Sequence, residues 1–128
     1  MPPTLLKSSL FWWVSIGALV LDILSKLQWG EIYQTQSVWA GWALLAMLLL
    51  FLSRLMAVRL SRPLVIGLAL LAAGIVGNAM DIIVLSGVRD WFSWFSWQTN
   101  LADTYIWVGM LLWIWGIKKS SADGPERI

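Results

Sequence analysis

The sequence predicts an all-α integral membrane protein, a bundle of four transmembrane helices with both termini in the cytoplasm. Of its 128 residues, 59% are hydrophobic and 12% are charged, whereas a soluble domain carries about a quarter charged residues. Long uncharged stretches recur along the chain, and most basic residues fall on one side of the predicted bundle. These observations favour a membrane protein over a water-soluble globular protein.

The helices are predicted from the uncharged stretches, because a membrane-crossing helix needs about 20 largely apolar residues. Residues 32–53 and 63–80 contain no charge, and Pro63 suits the first turn of a helix. Residues 8–21 and 104–117 qualify if an acidic residue is tolerated near one end. The chain therefore reads as one membrane domain, 1–128, with helices at about 9–28, 38–58, 63–86 and 101–118 and a polar tail at 120–128.

The basic residues predict the orientation of this bundle, because cytoplasmic loops carry an excess of lysine and arginine. The other side of the bundle has only Lys26 and Arg89. The first and third connections are therefore expected to face outward. Seven of the nine cations lie on the predicted cytoplasmic side: Lys7, Arg54, Arg59, Arg62, Lys118, Lys119 and Arg127.

The composition also limits the chemistry. The chain has no histidine and no cysteine, which excludes a serine–histidine triad, a thiol nucleophile, a disulfide and a zinc finger. A scattered net charge of +2 does not indicate a nucleic-acid partner. The remaining reactive groups are carboxylates, basic side chains and hydroxyls, and no metal or cofactor is expected.

Four of the five aspartates fall on the predicted outer side: Asp22, Asp81, Asp90 and Asp103. A carboxylate at membrane depth is costly unless it is paired or hydrated. Their convergence in so small a bundle indicates a site.

Two pairs of charged residues stand out in this group. Asp22 and Lys26 are four residues apart on one helix face and can form an ion pair, whether as a structural element or as part of the site. Asp90 and Asp103 could share one proton, so that the ionised acid activates water and the protonated acid polarises a carbonyl. The alternative is that both are interfacial acids, with hydration or Arg89 as their partner.

A series of spaced polar residues links these acids. The stretch 77–81, Gly-Asn-Ala-Met-Asp, is followed by Asp90 nine residues after Asp81, and 100–103, Asn-Leu-Ala-Asp, opens the fourth predicted helix. Together with Asp22 and Lys26, this pattern resembles the bacterial lipoprotein signal peptidase (signal peptidase II) family. That family carries a Gly-Asn-x-x-Asp-Arg stretch, a further Asp nine residues later and an Asn-x-Ala-Asp stretch. The resemblance covers most of the chain.

The resemblance implies an intramembrane aspartyl endopeptidase of the bacterial cytoplasmic (inner) membrane, with its active site facing outward. Asp90 and Asp103 would be its catalytic aspartates. The substrate would be a diacylglyceryl-modified prolipoprotein, cut just before the lipid-bearing cysteine of its signal peptide. Five residues would support the acids and position the substrate: Asp22, Lys26, Asn78, Asp81 and Asn100.

Three departures from the family pattern favour an alternative function. Ile82 stands where the family has arginine, and the connection 28–37 is short and lacks asparagine, so the family's covering β-structured element is expected to be absent or drastically trimmed. The connection from Asp90 to Asp103 is also short. The alternative is a catalytically inactive relative, a small membrane subunit that binds a partner complex, lipid or pigment. A transporter is disfavoured, because no inverted repeat is visible.

Aromatic residues fill the third connection. Trp91, Trp94 and Trp97 recur every three residues, so a short helix would place them on one face. Such a face could be an interfacial aromatic anchor or a wall that receives acyl chains or an apolar peptide. In the third helix, Gly67 and Gly74 are interpreted as sites of close helix packing, with room for a substrate as the alternative.

Overall fold

A computed structural model describes residues 4–56 and 58–123 of the protein. A short 3-10 helix, Leu5–Lys7, precedes four long helices: α1 Ser9–Trp29, α2 Val38–Leu55, α3 Arg62–Leu85 and α4 Leu101–Asp123. Every predicted helix is present, with bounds that agree to within five residues. Helix α4 continues past its predicted end at 118 to Asp123, so the first residues of the predicted polar tail are helical. The rest of that tail lies outside the described residues.

Among the described residues, three helices are long and apolar enough to cross a membrane: α1, α2 and α3. The protein is therefore membrane-embedded. The fourth span and the cytoplasmic location of the termini remain predictions of the sequence.

Helix α3 forms the centre of the bundle. It packs against each of the other three helices, and 13 of its 24 residues are buried. Helix α2, by contrast, buries only Gly41 and Leu48 and exposes large apolar side chains such as Met47 and Leu50. Exposed apolar side chains carry no penalty in lipid, because acyl chains are as apolar as leucine.

Glycines allow α3 and α4 to pack closely. A Cβ atom on Gly67 would lie 2.8 Å from the carbonyl oxygen of Gly109, and one on Gly109 would lie 2.7 Å from the oxygen of Gly67. A Cβ atom on Gly74 would likewise lie 2.5 Å from the carbonyl oxygen of Ala102. The interpretation of Gly67 and Gly74 as packing positions is therefore confirmed.

The prediction of an all-α protein is wrong in two connections. Strand β1, Glu31–Thr35, pairs antiparallel with β2, Gly87–Asp90, with Glu31 opposite Asp90. The short connection between α1 and α2 thus contains a five-residue strand, so its β structure is not absent. Its partner strand lies more than 50 residues away, so local sequence could not reveal the pairing.

The helix suggested by the three-residue spacing of tryptophans is also wrong. Strands β3, Phe92–Trp94, and β4, Trp97–Thr99, form an antiparallel hairpin with Trp94 opposite Trp97. Aromatic residues and threonine favour strands, and Phe95 at the turn adopts a positive φ of 56°. Its side chain is 98% exposed.

We expect Gly67→Val to lower the free energy of unfolding by roughly 1–3 kcal/mol, because the added side chain would push apart two closely packed helix backbones. Thermal unfolding in detergent measures this change. Gly17→Val is the matched control, since a Cβ atom on Gly17 of α1 meets nothing within 4 Å. Equal losses of stability in the two variants would contradict the packing interpretation.

Candidate active site

The four aspartates that the sequence predicts on the outer side meet at the end of the bundle where α1 and α3 end and α4 begins. Lys26 of α1 lies at their centre and is 1% exposed, beside Asp22, which is fully buried. The Lys26 Nζ atom lies 2.8 Å from Asp22 Oδ2 and 3.3 Å from Asp81 Oδ2, and it donates to Asn78 Oδ1 at 3.2 Å. The predicted Asp22–Lys26 ion pair is present, and Lys26 also binds two side chains of α3. A charge buried this deeply requires such partners.

Asp22 connects this centre to the beginning of α4. Its Oδ1 atom accepts a hydrogen bond from the backbone N–H of Ala102 at 2.9 Å, one of the amide groups that the first turn of a helix leaves without a helical acceptor. A Cβ atom on Gly77 would lie only 2.5 Å from Asp22 Oδ2. The glycine of the motif at 77–81 therefore makes room for the Asp22 carboxylate, a role that sequence reasoning missed.

Arg89 of β2 binds Asp81 of α3. The guanidinium donates to Asp81 Oδ1 at 2.8 Å and to Oδ2 at 3.3 Å, and the Arg89 backbone N–H donates to Oδ2 at 2.9 Å. Arg89 was considered a partner of Asp90 or Asp103, and the structure pairs it with Asp81 instead. The consequence is that β2 is fixed to α3 one residue before Asp90.

Two asparagine side chains link Asp90 to Asp103. Asn100 donates from Nδ2 to Asp90 Oδ1 at 2.7 Å and to Asn78 Oδ1 at 3.2 Å. Asn78 in turn donates from Nδ2 to Asp103 Oδ1 at 2.8 Å. Thr99 adds a hydroxyl donor to Asp103 Oδ2 at 3.0 Å. The only two asparagines in the sequence thus join the two acids that were predicted to act together.

Asn100 also begins helix α4. Its Oδ1 atom accepts the backbone N–H of Asp103 at 2.9 Å, the hydrogen bond that an N-cap residue makes to the third residue of a helix. This cap fixes Asp103 in the first turn of α4. The fully buried side-chain amide of Asn100 therefore positions both acids. It binds the carboxyl group of Asp90 and the backbone of Asp103.

The pKa of Asp90 is raised above that of an ordinary aspartate. Burial raises the pKa of Asp90, the negative charge of Asp103 raises it further, and the hydrogen bond from Asn100 opposes this rise. Asp90 consequently keeps its proton to a higher pH than a solvated aspartate. A carboxyl group whose pKa is raised by burial and by the charge of a second carboxyl group is suited to paired acid and base chemistry.

Each acid also borders open space, because both are only half-buried. Asp103 lines a groove of about 660 Å³ between the β3–β4 hairpin and α4, whose apolar walls include Trp94, Trp97, Trp107 and Met110. Two of the three tryptophans of the third connection, Trp94 and Trp97, thus form one wall of this groove, whereas Trp91 packs against Trp29. Asp90 lines a second cavity, a cleft of about 310 Å³ between β1 and the same hairpin, which shares Trp97 and Gln98 with the groove.

Most residues of this network were named from the sequence, but the contacts of two contributors were not. Arg89 was considered only as a partner of Asp90 or Asp103, and nothing in the local sequence indicated Asp81 as its partner. Thr99 precedes the second motif directly, and its hydroxyl acts through a tertiary contact with Asp103. The seven residues predicted for the site lie in one connected network: Asp22, Lys26, Asn78, Asp81, Asp90, Asn100 and Asp103.

Membrane-length helices that gather carboxylates, two asparagines and a buried lysine at one end define a membrane-embedded protein with a polar site. The sequence profile of the family described as Signal peptidase (SPase) II matches residues 23–118. This match covers more than half of the chain and includes both motifs. The chain belongs to the signal peptidase II family. No curated protein sequence matches it significantly.

Two solved structures share the fold, and each is described as a bacterial membrane enzyme determined by the in meso method. The structure at 2.3 Å resolution is 16% identical, with a TM-score of 0.66, and the match covers 92% of this chain and 93% of the other. The structure at 1.9 Å is also 16% identical, with a TM-score of 0.67 and coverages of 86% and 93%. At this identity the likeness shows the fold alone.

We expect Lys26→Met to lower the free energy of unfolding by about 3–5 kcal/mol, because it leaves the buried Asp22 carboxylate without its cation. Chemical unfolding in detergent measures the loss. Lys118→Met, at an exposed position of α4, is the matched control and should be close to neutral. A Lys26→Met variant as stable as the parent protein would show that the buried charges do not need this ammonium group.

We expect Asp103→Asn to lower the pKa of Asp90, because it removes the neighbouring negative charge that raises this pKa. The substitution keeps the size of the side chain. Infrared titration of the protonated carboxyl band measures the shift, and the band that disappears in Asp90→Asn identifies the group. An unchanged midpoint, or one at higher pH, would contradict electrostatic coupling between the two acids.

Proposed function

We propose that this protein is an intramembrane aspartyl endopeptidase that removes signal peptides from diacylglyceryl-modified prolipoproteins. The observation that carries the proposal is the joining of Asp90 and Asp103 through Asn100 and Asn78, while each acid still borders open space. Membership of the signal peptidase II family supports the lipoprotein substrate. The basic residues support a bacterial inner-membrane location with this site facing outward.

In the proposed reaction, Asp103 is the base and Asp90 is the acid. Asp103 accepts hydrogen bonds from Asn78 and Thr99, one on each carboxyl oxygen, whereas burial raises the pKa of Asp90, which suits the role of the acid. Asp103 takes a proton from water as the water oxygen attacks the scissile carbonyl carbon. Asp90 gives its proton to the carbonyl oxygen, which yields a tetrahedral diol.

The second step restores both acids. Asp103 donates the proton it received to the nitrogen of the scissile bond, and the carbon–nitrogen bond breaks. Asp90 takes a proton from a hydroxyl group of the diol as the new carboxyl group forms. Neither step needs a metal or an organic cofactor, and each acid begins the next cycle in its original state.

The groove beside Asp103 supports a substrate with apolar parts. Tryptophans of the hairpin and Trp107 and Met110 of α4 line it, and its walls carry no charge other than Asp103. Acyl chains or the apolar core of a signal peptide suit such a surface, because burying them there removes apolar area from water.

The pairing of Arg89 with Asp81 compensates for the absence of arginine at position 82, which was one reason to expect an inactive membrane subunit. Ile82, where the family has arginine, is 2% exposed and lies against Gly41 of α2. The cation beside Asp81 comes instead from Arg89, seven residues further along the chain. The loss of arginine at position 82 therefore leaves Asp81 paired, and the network around the two acids is complete.

We expect Asp90→Asn and Asp103→Asn each to lower the turnover of a lipidated prolipoprotein at least about 100-fold, since each removes one partner of the acid–base pair. The assay uses purified protein in lipid with a diacylglyceryl-modified substrate. Asp123→Asn, at the far end of α4, is the matched control. Full activity in both test variants, or co-purification with a larger complex and no cleavage by the parent protein, would favour the inactive membrane subunit.

A further inference from the structure

The cleft beside Asp90 has a different character from the groove beside Asp103. It lies between β1 and the β3–β4 hairpin and has a volume of about 310 Å³. The chain contains four glutamines, and three of them line this cleft. Its polar lining consists of Tyr33, Gln34, Gln36, Asp90, Ser96 and Gln98.

The chemistry of this lining suits an uncharged polar peptide. Each glutamine amide offers two donor hydrogens and an accepting oxygen, so it can bind either group of a peptide bond. No lysine or arginine lines the cleft, and Asp90 is its only acidic residue. The lining therefore provides hydrogen bonds in both directions and has no basic side chain that would bind an acidic one.

The two acids lie at the boundary between these surfaces. Asp103 borders the apolar groove and Asp90 borders the polar cleft, and Asn100 and Asn78 join them. A substrate held across both acids must therefore pass from apolar surroundings on one side to polar surroundings on the other. The two ends of the scissile region do not meet equivalent surfaces.

We infer that the glutamine-lined cleft binds the segment of the lipoprotein that follows the lipid-bearing cysteine and selects uncharged polar residues there. This inference rests on the proposed function. The signal peptide and the diacylglyceryl group are apolar and suit the groove, whereas the chain after the cysteine has to leave the membrane. The connections that hold the cleft are also those the sequence predicts to face outward.

The test compares two fluorescent lipopeptides that differ only after the modified cysteine, one continuing Ser-Asn-Ser and the other Leu-Val-Leu. The parent protein should show a KM about tenfold lower for the polar peptide. In Gln34→Leu/Gln98→Leu this preference should disappear, because two hydrogen-bonding groups are lost, with KM changing more than kcat. Gln34 and Gln98 are both exposed, so these replacements do not disturb the core.

Two controls make the result specific. Gln28→Leu changes the one glutamine outside the cleft, on an exposed position of α1, and should retain the full preference. Gln34→Asn/Gln98→Asn keeps the amide groups and should restore part of it.

Equal KM values for the two peptides with the parent protein, or a preference that survives in Gln34→Leu/Gln98→Leu, would overturn the inference while the peptidase activity stands. Failure of the parent protein to cleave either lipopeptide would instead overturn the proposed function, and the assignment of the cleft with it.

Discussion

The ammonium group of Lys26 contacts polar side chains from two helices at once, and each of those side chains leads to another element. Asp22 binds the first turn of α4, Asp81 binds Arg89 of β2, and Asn78 binds Asp103. Because a buried cation requires partners on all sides, the position of Lys26 fixes the relative positions of α1, α3, α4 and β2. The arrangement of Asp90 and Asp103 follows from those positions.

The residues of the network differ in how deeply they are buried. Lys26, Asp22 and Asn100 are fully or almost fully buried, and Asn78 and Asp81 nearly so. Asp90 and Asp103 are half-buried and border the cleft and the groove. A site whose supporting residues are buried and whose two acids are accessible can hold those acids in place without a large reorganisation when another molecule binds.

The helices could be predicted from sequence because membrane length and hydropathy are local properties, and the Asp22–Lys26 pair followed from helical spacing alone. Strand β1 could not, since it is defined by pairing with β2, more than 50 residues away. The pairing of Arg89 with Asp81 was missed for the same reason, because these two side chains meet only through the fold. The spacing of Trp91, Trp94 and Trp97 suggested a helix, yet Trp94 and Trp97 lie opposite each other in paired strands, a setting that aromatic residues favour.

The hydrogen bond from the Ala102 amide to Asp22 joins residues 80 positions apart, and this separation bears on the order in which the protein is made. While only the first three helices have emerged from the ribosome, Lys26 already has Asp22, Asp81 and Asn78 within the same segment. Asn100 and Asp103 follow only with α4. The two acids therefore come together only after α4 has been made, so the first three helices can assemble around Lys26 before Asp90 and Asp103 are joined.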